Sequence, residues 1–200
     1  HVAGQTVCLR LDTRYPWDGK VRITVEPETP ASFGLKLRIP AWCGEFSLEV
    51  NGIAAESLQP KRGYLRIERE WKTGDCVELS LSMPIELVRA HPEVREDIGC
   101  VAIQRGPLVY CLEHVDNNVP LHRIVLPKDA KLKVRFEPDL LDGVVVIRGD
   151  AFVMDDSDWD AQLYRVSEEQ RKRFKISAIP YYAWANRGRG EMRVWIRTDT

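Results

Sequence analysis

The sequence predicts an all-β fold made of two consecutive antiparallel β-sandwich domains, and three observations carry that expectation. Apolar residues recur at every second position in one short run after another. Clusters of Gly, Pro, Asn and Asp separate these runs at short intervals, and helical periodicity is nearly absent. Many short antiparallel strands at such spacing build a sandwich or a barrel.

The elements follow in order. Thr6 to Leu11 (TVCLRL), Lys20 to Val25 (KVRITV) and Phe33 to Ile39 (FGLKLRI) alternate, as do Phe46 to Val50, Tyr64 to Glu68 and Val77 to Leu81. Each is expected to bury one face and wet the other. Pro16-Trp17-Asp18-Gly19, Pro27 to Pro30, Asn51-Gly52 and Thr73-Gly74-Asp75 supply the turns. Asn51-Gly52 is the strongest of these signals, because both residues tolerate the positive φ of a tight hairpin. A second block opens with Val101-Ala102-Ile103 and Leu108 to Leu112, which flank Arg105-Gly106-Pro107. It continues with Ile124 to Leu126, Leu132 to Phe136, Val144 to Ile147, Phe174 to Ile179 and Arg193 to Ile196. Asp116-Asn117-Asn118-Val119-Pro120 reads as a linker, so the domains are placed at 1–116 and 117–200. Ser167-Glu168-Glu169-Gln170 matches a capping box and predicts one short helical turn on a loop.

Composition excludes several function classes. Apolar residues make up 44% and charged residues 30%, with a formal net charge of −1, so no field gathers nucleic acid or an anionic membrane. Arg171-Lys172-Arg173 follows Glu168-Glu169 and reads as a solvated face. The best apolar run, Val144 to Ile147, is strand length rather than membrane length. The chain opens at His1 rather than Met and enters a strand almost at once, so an upstream segment is expected. Its five cysteines, Cys8, Cys43, Cys76, Cys100 and Cys111, include no C-x-x-C pair, which argues against a structural zinc. Cys8, Cys76 and Cys111 lie inside apolar strand patterns and read as small hydrophobes. Reduced thiols favour a reducing, cytoplasmic compartment.

No local catalytic signature is present. Asp156, Asp158 and Asp160 imitate the opening of a calcium loop, but Ala161 stands at its glycine position and Ser167 at its closing acidic position. Glu96-Asp97, Glu26/Glu28 and Glu113/Asp116 sit near strand ends or turns, where charge is the solvated choice. His91 and His114 are strand-end histidines, and no G-x-S-x-G elbow presents a serine. Trp71 and Trp195 read as core. Tyr15-Pro16-Trp17 in its turn and Tyr181-Tyr182-Ala183-Trp184 are harder to bury. Tyr181, Tyr182 and Trp184 therefore stand out as a protein interface or a sugar-stacking platform. The interface is the favoured reading, since an extended chain sends Tyr181 and Tyr182 to opposite faces.

Several long stretches together resemble one family. Tyr15-Pro16-Trp17-Asp18-Gly19, Leu37 to Cys43 (LRIPAWC), Gln104 to Tyr110 (QRGPLVY) and Ala178 to Arg187 (AIPYYAWANR) occur in that order. Val50-Asn51-Gly52 and Met83-Pro84 with Arg89-Ala90-His91-Pro92 fit the same pattern. From about Thr6 to Arg197 the chain resembles the C-terminal part of bacterial glycoside hydrolase family 127, the β-L-arabinofuranosidases. The resemblance implies a parent with an α/α barrel followed by two β-sandwich domains, one of them in dimer contacts. It places the chemistry in the barrel, with a cysteine nucleophile, a zinc held by Cys and Glu, and a glutamate acid/base. No cysteine here has the adjacent Cys-Cys arrangement of that zinc site, so no catalytic, cofactor-binding or metal residue is carried over to this chain.

The function expected is therefore that of a non-catalytic accessory portion. The first domain would pack on the catalytic barrel of the same parent chain, and the second is a candidate homodimer contact. A carbohydrate-binding module using surface aromatics, and an independent enzyme with an unrecognised site, are the alternatives.

Overall fold

A computed structural model describes every residue except 3, 56–58, 161, 165, 167 and 200. Strands make up nearly all of the regular structure described, as the alternation predicts, and the chain divides into two compact units, His1–Pro84 and Ile85–Thr200.

The first unit carries β1 (Val7–Thr13), β2 (Lys20–Pro27), β3 (Ala31–Arg38), β4 (Phe46–Val50), β5 (Ile53–Ala54), β6 (Tyr64–Trp71) and β7 (Asp75–Leu81). One sheet runs β1-β2-β7-β4-β5, and β3 pairs β6 in a second. The alternating residues converge as predicted. Ile23 and Val25 of β2, with Val77, Leu79 and Leu81 of β7, share one core with Leu35 and Leu37 of β3 and Leu65, Ile67 and Trp71 of β6. Each such side chain contributes roughly 1.5–3 kcal/mol by leaving water. Trp71 is fully buried, and its indole N–H donates to the Phe33 carbonyl at 2.9 Å. Asn51 and Gly52 take φ of 52° and 75°, the hairpin turn their sequence signals. Glycine is required at Gly19, where a Cβ would stand 2.0 Å from the Leu81 carbonyl oxygen.

β1 departs from its pattern. Leu9 lies opposite Val25 and Leu11 opposite Ile23, so both share the core face of β2. Yet Leu9 is 42% and Leu11 60% exposed. β1 is the sheet edge, and a two-stranded layer is too narrow to cover five strands.

The second unit carries β8 (Ile85–Val88), β9 (Cys100–Arg105), β10 (Leu108–Glu113), β11 (Ile124–Leu126), β12 (Leu132–Glu137), β13 (Val144–Met154), β14 (Arg171–Pro180), β15 (Met192–Arg193) and β16 (Trp195–Thr198). Its pairings close on themselves: β9-β10-β14-β13-β11-β16 and back to β9 form a six-stranded barrel. β11 and β16 are parallel; the other pairs are antiparallel. β8, β12 and β15 extend it from β9, β13 and β10. The enclosed core includes Val101, Ile103, Tyr110, Leu112, Ile147, Ile176 and Ile196. The expected second sandwich is thus corrected to a closed ring. Alternation is the same in both architectures, so only the long-range pairings decide between them.

The domain boundary is corrected as well. Asp116 to Pro120 is not a linker, because the single helical turn His114–Asn117 belongs to the second unit. Asn117 is buried, and its amide donates to the carbonyls of Glu113 at 2.9 Å and Ser177 at 3.0 Å. Its Oδ1 accepts from Ser177 N–H at 3.0 Å. A polar turn satisfied this fully can be buried without penalty. The capping box read at Ser167 lies outside the described residues. No helix among those described is long and apolar enough to cross a membrane.

Candidate functional site

The residues singled out by the sequence converge on a corner of the second unit. β14 ends at Pro180, paired with Tyr110 of β10. The chain then winds through a single tight turn, Tyr181–Ala183, instead of staying extended. The expectation that Tyr181 and Tyr182 face opposite ways is corrected: only Ala183 points inward. Tyr181, Tyr182 and Trp184 are 45%, 53% and 40% exposed. Tyr181 and Trp184 stack, with ring centroids 5.9 Å apart and planes 26° from parallel.

Polar contacts fix this corner from behind. Asn186 donates from its amide to the carbonyls of Ala183 at 3.0 Å and Trp184 at 3.3 Å. Ala185, at a φ of 64°, donates its N–H to Glu113 Oε1 at 3.0 Å. Arg187 grips Asp116 with both terminal nitrogens at 2.6 Å and donates a further bond to Glu113 Oε2. Only 18% of the Arg187 side chain, 14% of Asp116 and 6% of Glu113 is exposed. The hydrogen bonds to Asp116 raise the Arg187 pKa, burial opposes them, and Glu113 adds to the rise. Cys111 lies in the same strand as Glu113, and its thiol is pushed up to about 12 by burial, with the two carboxylates adding to the effect. Burial likewise raises the fully buried Tyr110 phenol, against the pull of the Arg105 guanidinium beside it. Gln104 to Tyr110 and Ala178 to Arg187, distant in sequence, therefore meet around one corner.

A second aromatic pair forms in the first unit. Tyr15 stacks on Trp42 at 6.4 Å and 15°, joining the Tyr15-Pro16-Trp17 turn to the stretch that ends at Cys43. Arg14 pairs with Asp18 at 3.0 Å across that turn.

Several of the remaining candidates are occupied or dispersed. Asp155 pairs with Lys172 at 2.8 Å and Asp156 with Arg123 at 2.7 Å. Ala161 and Ser167, the other positions weighed for calcium, lie outside the described residues. Glu26 faces Arg10 at 3.5 Å, and His114 Nδ1 lies 3.2 Å from the Val119 carbonyl. Among the described residues no cluster of three or more His, Cys, Asp and Glu side chains could hold a metal. All five cysteines are free. Cys111 is the buried thiol expected, whereas Cys8 is exposed on the edge strand and Cys76 accepts from Arg22 Nε at 3.1 Å. The sequence carries no local signal for the Arg187 clamp, because Asp116 and Glu113 stand 71 and 74 residues before it.

Comparison with known proteins decides the family. Residues 1–83 match the model "Beta-L-arabinofuranosidase, GH127 middle domain", and residues 85–197 match "Glycoside hydrolase family 127 C-terminal domain". The chain belongs to glycoside hydrolase family 127. The seam between the two matches falls where the two compact units meet. A non-reducing end β-L-arabinofuranosidase of Bifidobacterium longum subsp. longum is 41% identical over 197 residues, which cover 92% of this chain and 29% of that protein. The crystal structure of a GH127 β-L-arabinofuranosidase from Geobacillus stearothermophilus T6 superposes with a TM-score of 0.95 at 50% identity, covering 98% of this chain and 31% of that one. A further GH127 β-arabinofuranosidase structure gives a TM-score of 0.85 at 35% identity, over 98% of this chain and 32% of that one. The chain thus spans less than a third of the length of each of these relatives.

Proposed function

We propose that this chain is the non-catalytic supporting portion of a larger β-L-arabinofuranosidase, whose bond-breaking chemistry and zinc belong to an α/α barrel elsewhere in the parent. The first unit, with its two sheets over one core, is the sandwich that docks on that barrel. The second unit supports the oligomer. Reduced cysteines fit a cytoplasmic parent.

One observation carries the docking claim. Leu9 and Leu11 hold the core face of their sheet and yet are open to water at its edge. A natural edge strand is normally covered, charged or shortened, and a barrel seated on β1 supplies the cover. The test compares Leu9→Ser/Leu11→Ser in two contexts. In the isolated chain the pair should change stability by no more than about 0.5 kcal/mol, as exposed positions do. In the full-length parent it should cost several kcal/mol, since each covered leucine contributes about 1.5–3 kcal/mol. An equal effect in both contexts, read by thermal melting, refutes the docking.

A further inference from the structure

Beside the aromatic corner runs a groove of about 600 Å³, lined by Tyr181, Val109, Trp195, Arg193, Glu96 and Asp97. Tyr181 comes from the turn after β14, Arg193 from β15, Trp195 from β16, and the two carboxylates from the single turn Arg95–Asp97 that leads into β9. Among the described residues, neither the Glu96 and Asp97 carboxylates nor the Arg193 guanidinium has a hydrogen-bond or ion-pair partner. Elsewhere on this unit such groups pair readily, as Arg187, Lys172 and Arg123 do.

That combination selects among occupants. A dry protein partner would have to bury three charges, and the centres of protein interfaces are depleted in charged residues. A sugar suits the same surface: its C–H face packs on an aromatic ring, its hydroxyls donate to the carboxylates, and its oxygens accept from the guanidinium. Two carboxylates against one guanidinium leave the groove net negative, which repels a uronate or a phosphate.

We infer that this groove is a binding subsite for a neutral oligosaccharide, with Tyr181 and Trp195 as its rings and Glu96, Asp97 and Arg193 as its hydrogen-bonding groups. The platform is rigid before the sugar arrives, because Tyr181 is stacked on Trp184 and the loop behind it is fixed by Asn186 and by Arg187 on Glu113 and Asp116. Preorganisation of this kind lowers the cost of binding. The site binds and does not cleave. Glu96 and Asp97 are neighbours on one turn, whereas glycoside hydrolysis needs carboxylates on opposite sides of the bond. The inference departs from the sequence-based preference for a protein interface at Tyr181, because the unpaired charges beside that ring are visible only once the chain is folded. It stands on the groove's own chemistry, independently of what the first unit docks against.

The test titrates the 200-residue chain separately with arabinotriose, xylotriose and galactotriose by isothermal calorimetry. At least one should bind saturably at a single site. Tyr181→Ala and Asp97→Ala should each weaken that binding by about tenfold or more, the equivalent of about 1.4 kcal/mol. Phe136→Ala, an exposed ring on β12, should leave it unchanged. Absence of saturable binding to all three sugars overturns the inference. So does binding that survives both groove substitutions with circular dichroism unaltered. A dimer that Tyr181→Ala dissolves, seen by sedimentation, also overturns it, since the groove would then be filled by a second copy.

Discussion

Replacing Arg187 by Ala removes the cation shared by Glu113 and Asp116 and leaves both carboxylates in place. Glu113 is 5% exposed and among the described residues keeps only the Ala185 N–H, while Asp116 loses both of the bonds that Arg187 gives it. Breaking a buried pair from one side typically costs about 3–5 kcal/mol, because an uncompensated charge stays behind. Arg187→Lys should recover only part of this loss, since an ammonium cannot grip Asp116 with two parallel bonds. Glu113→Gln added to Arg187→Ala should also recover part, by removing one stranded charge. Cys111 provides a reporter confined to the second unit. It is fully buried in β10 and becomes reactive only when that unit opens. Pulsed alkylation read cysteine by cysteine by mass spectrometry should show Cys111 labelling rise by about two to four powers of ten in Arg187→Ala. Cys43 and Cys76 in the first unit should keep their rates. A rise in Cys111 labelling of less than about tenfold, or an equal rise at Cys43, refutes the reasoning.

Burial pushes the Asp75 pKa up, but the Lys72 N–H and the Asn51 amide, each at 2.8 Å, together with Arg69 at 3.7 Å, outweigh it and hold the carboxyl below its usual value. A depressed folded pKa gives stability that is complete above the unfolded value of about 3.9 and is lost as pH falls through the folded value. Asp75→Asn should therefore flatten the acid loss of the first unit below about pH 4, followed by Trp71 fluorescence, and an unchanged acid midpoint contradicts this. In the native wild-type chain Cys8 should be alkylated first and Cys111 last, because one thiol is exposed and the other is buried with its pKa raised to about 12. Comparable rates for the two would contradict the burial pattern.

How much of this was legible in the sequence depends on the range of the interactions involved. β2, β6 and β7 were readable because their alternation is local and their cores confirm it residue by residue. The Asn51-Gly52 hairpin was readable because φ tolerance is a property of the residues themselves. β1 carries the same alternation, but whether Leu9 and Leu11 are covered depends on the width of another sheet. Asp116 to Pro120 has the composition of a linker, and only the bonds from Asn117 to Ser177, 60 residues away, make it a buried turn. Sandwich and barrel share one periodicity, and the pairing of β9 with both β10 and β16 that separates them is long-range for β16. At the corner, Tyr181, Tyr182 and Trp184 stood out by composition. The Arg187 clamp did not, since its partners lie 71 and 74 residues back.

On the proposed function, the chemistry of the parent lies outside this chain. Cys111 is sealed with a raised pKa, Glu113 and Asp116 are locked to Arg187, and Glu96 and Asp97 share one turn instead of facing each other across a cleft. The most direct measurement is hydrolysis of 4-nitrophenyl β-L-arabinofuranoside by the purified 200-residue chain, followed by nitrophenolate release. No turnover above the protein-free blank is expected. Turnover that copurifies with the chain and disappears when one of its own residues is substituted, with the fold retained, would contradict it.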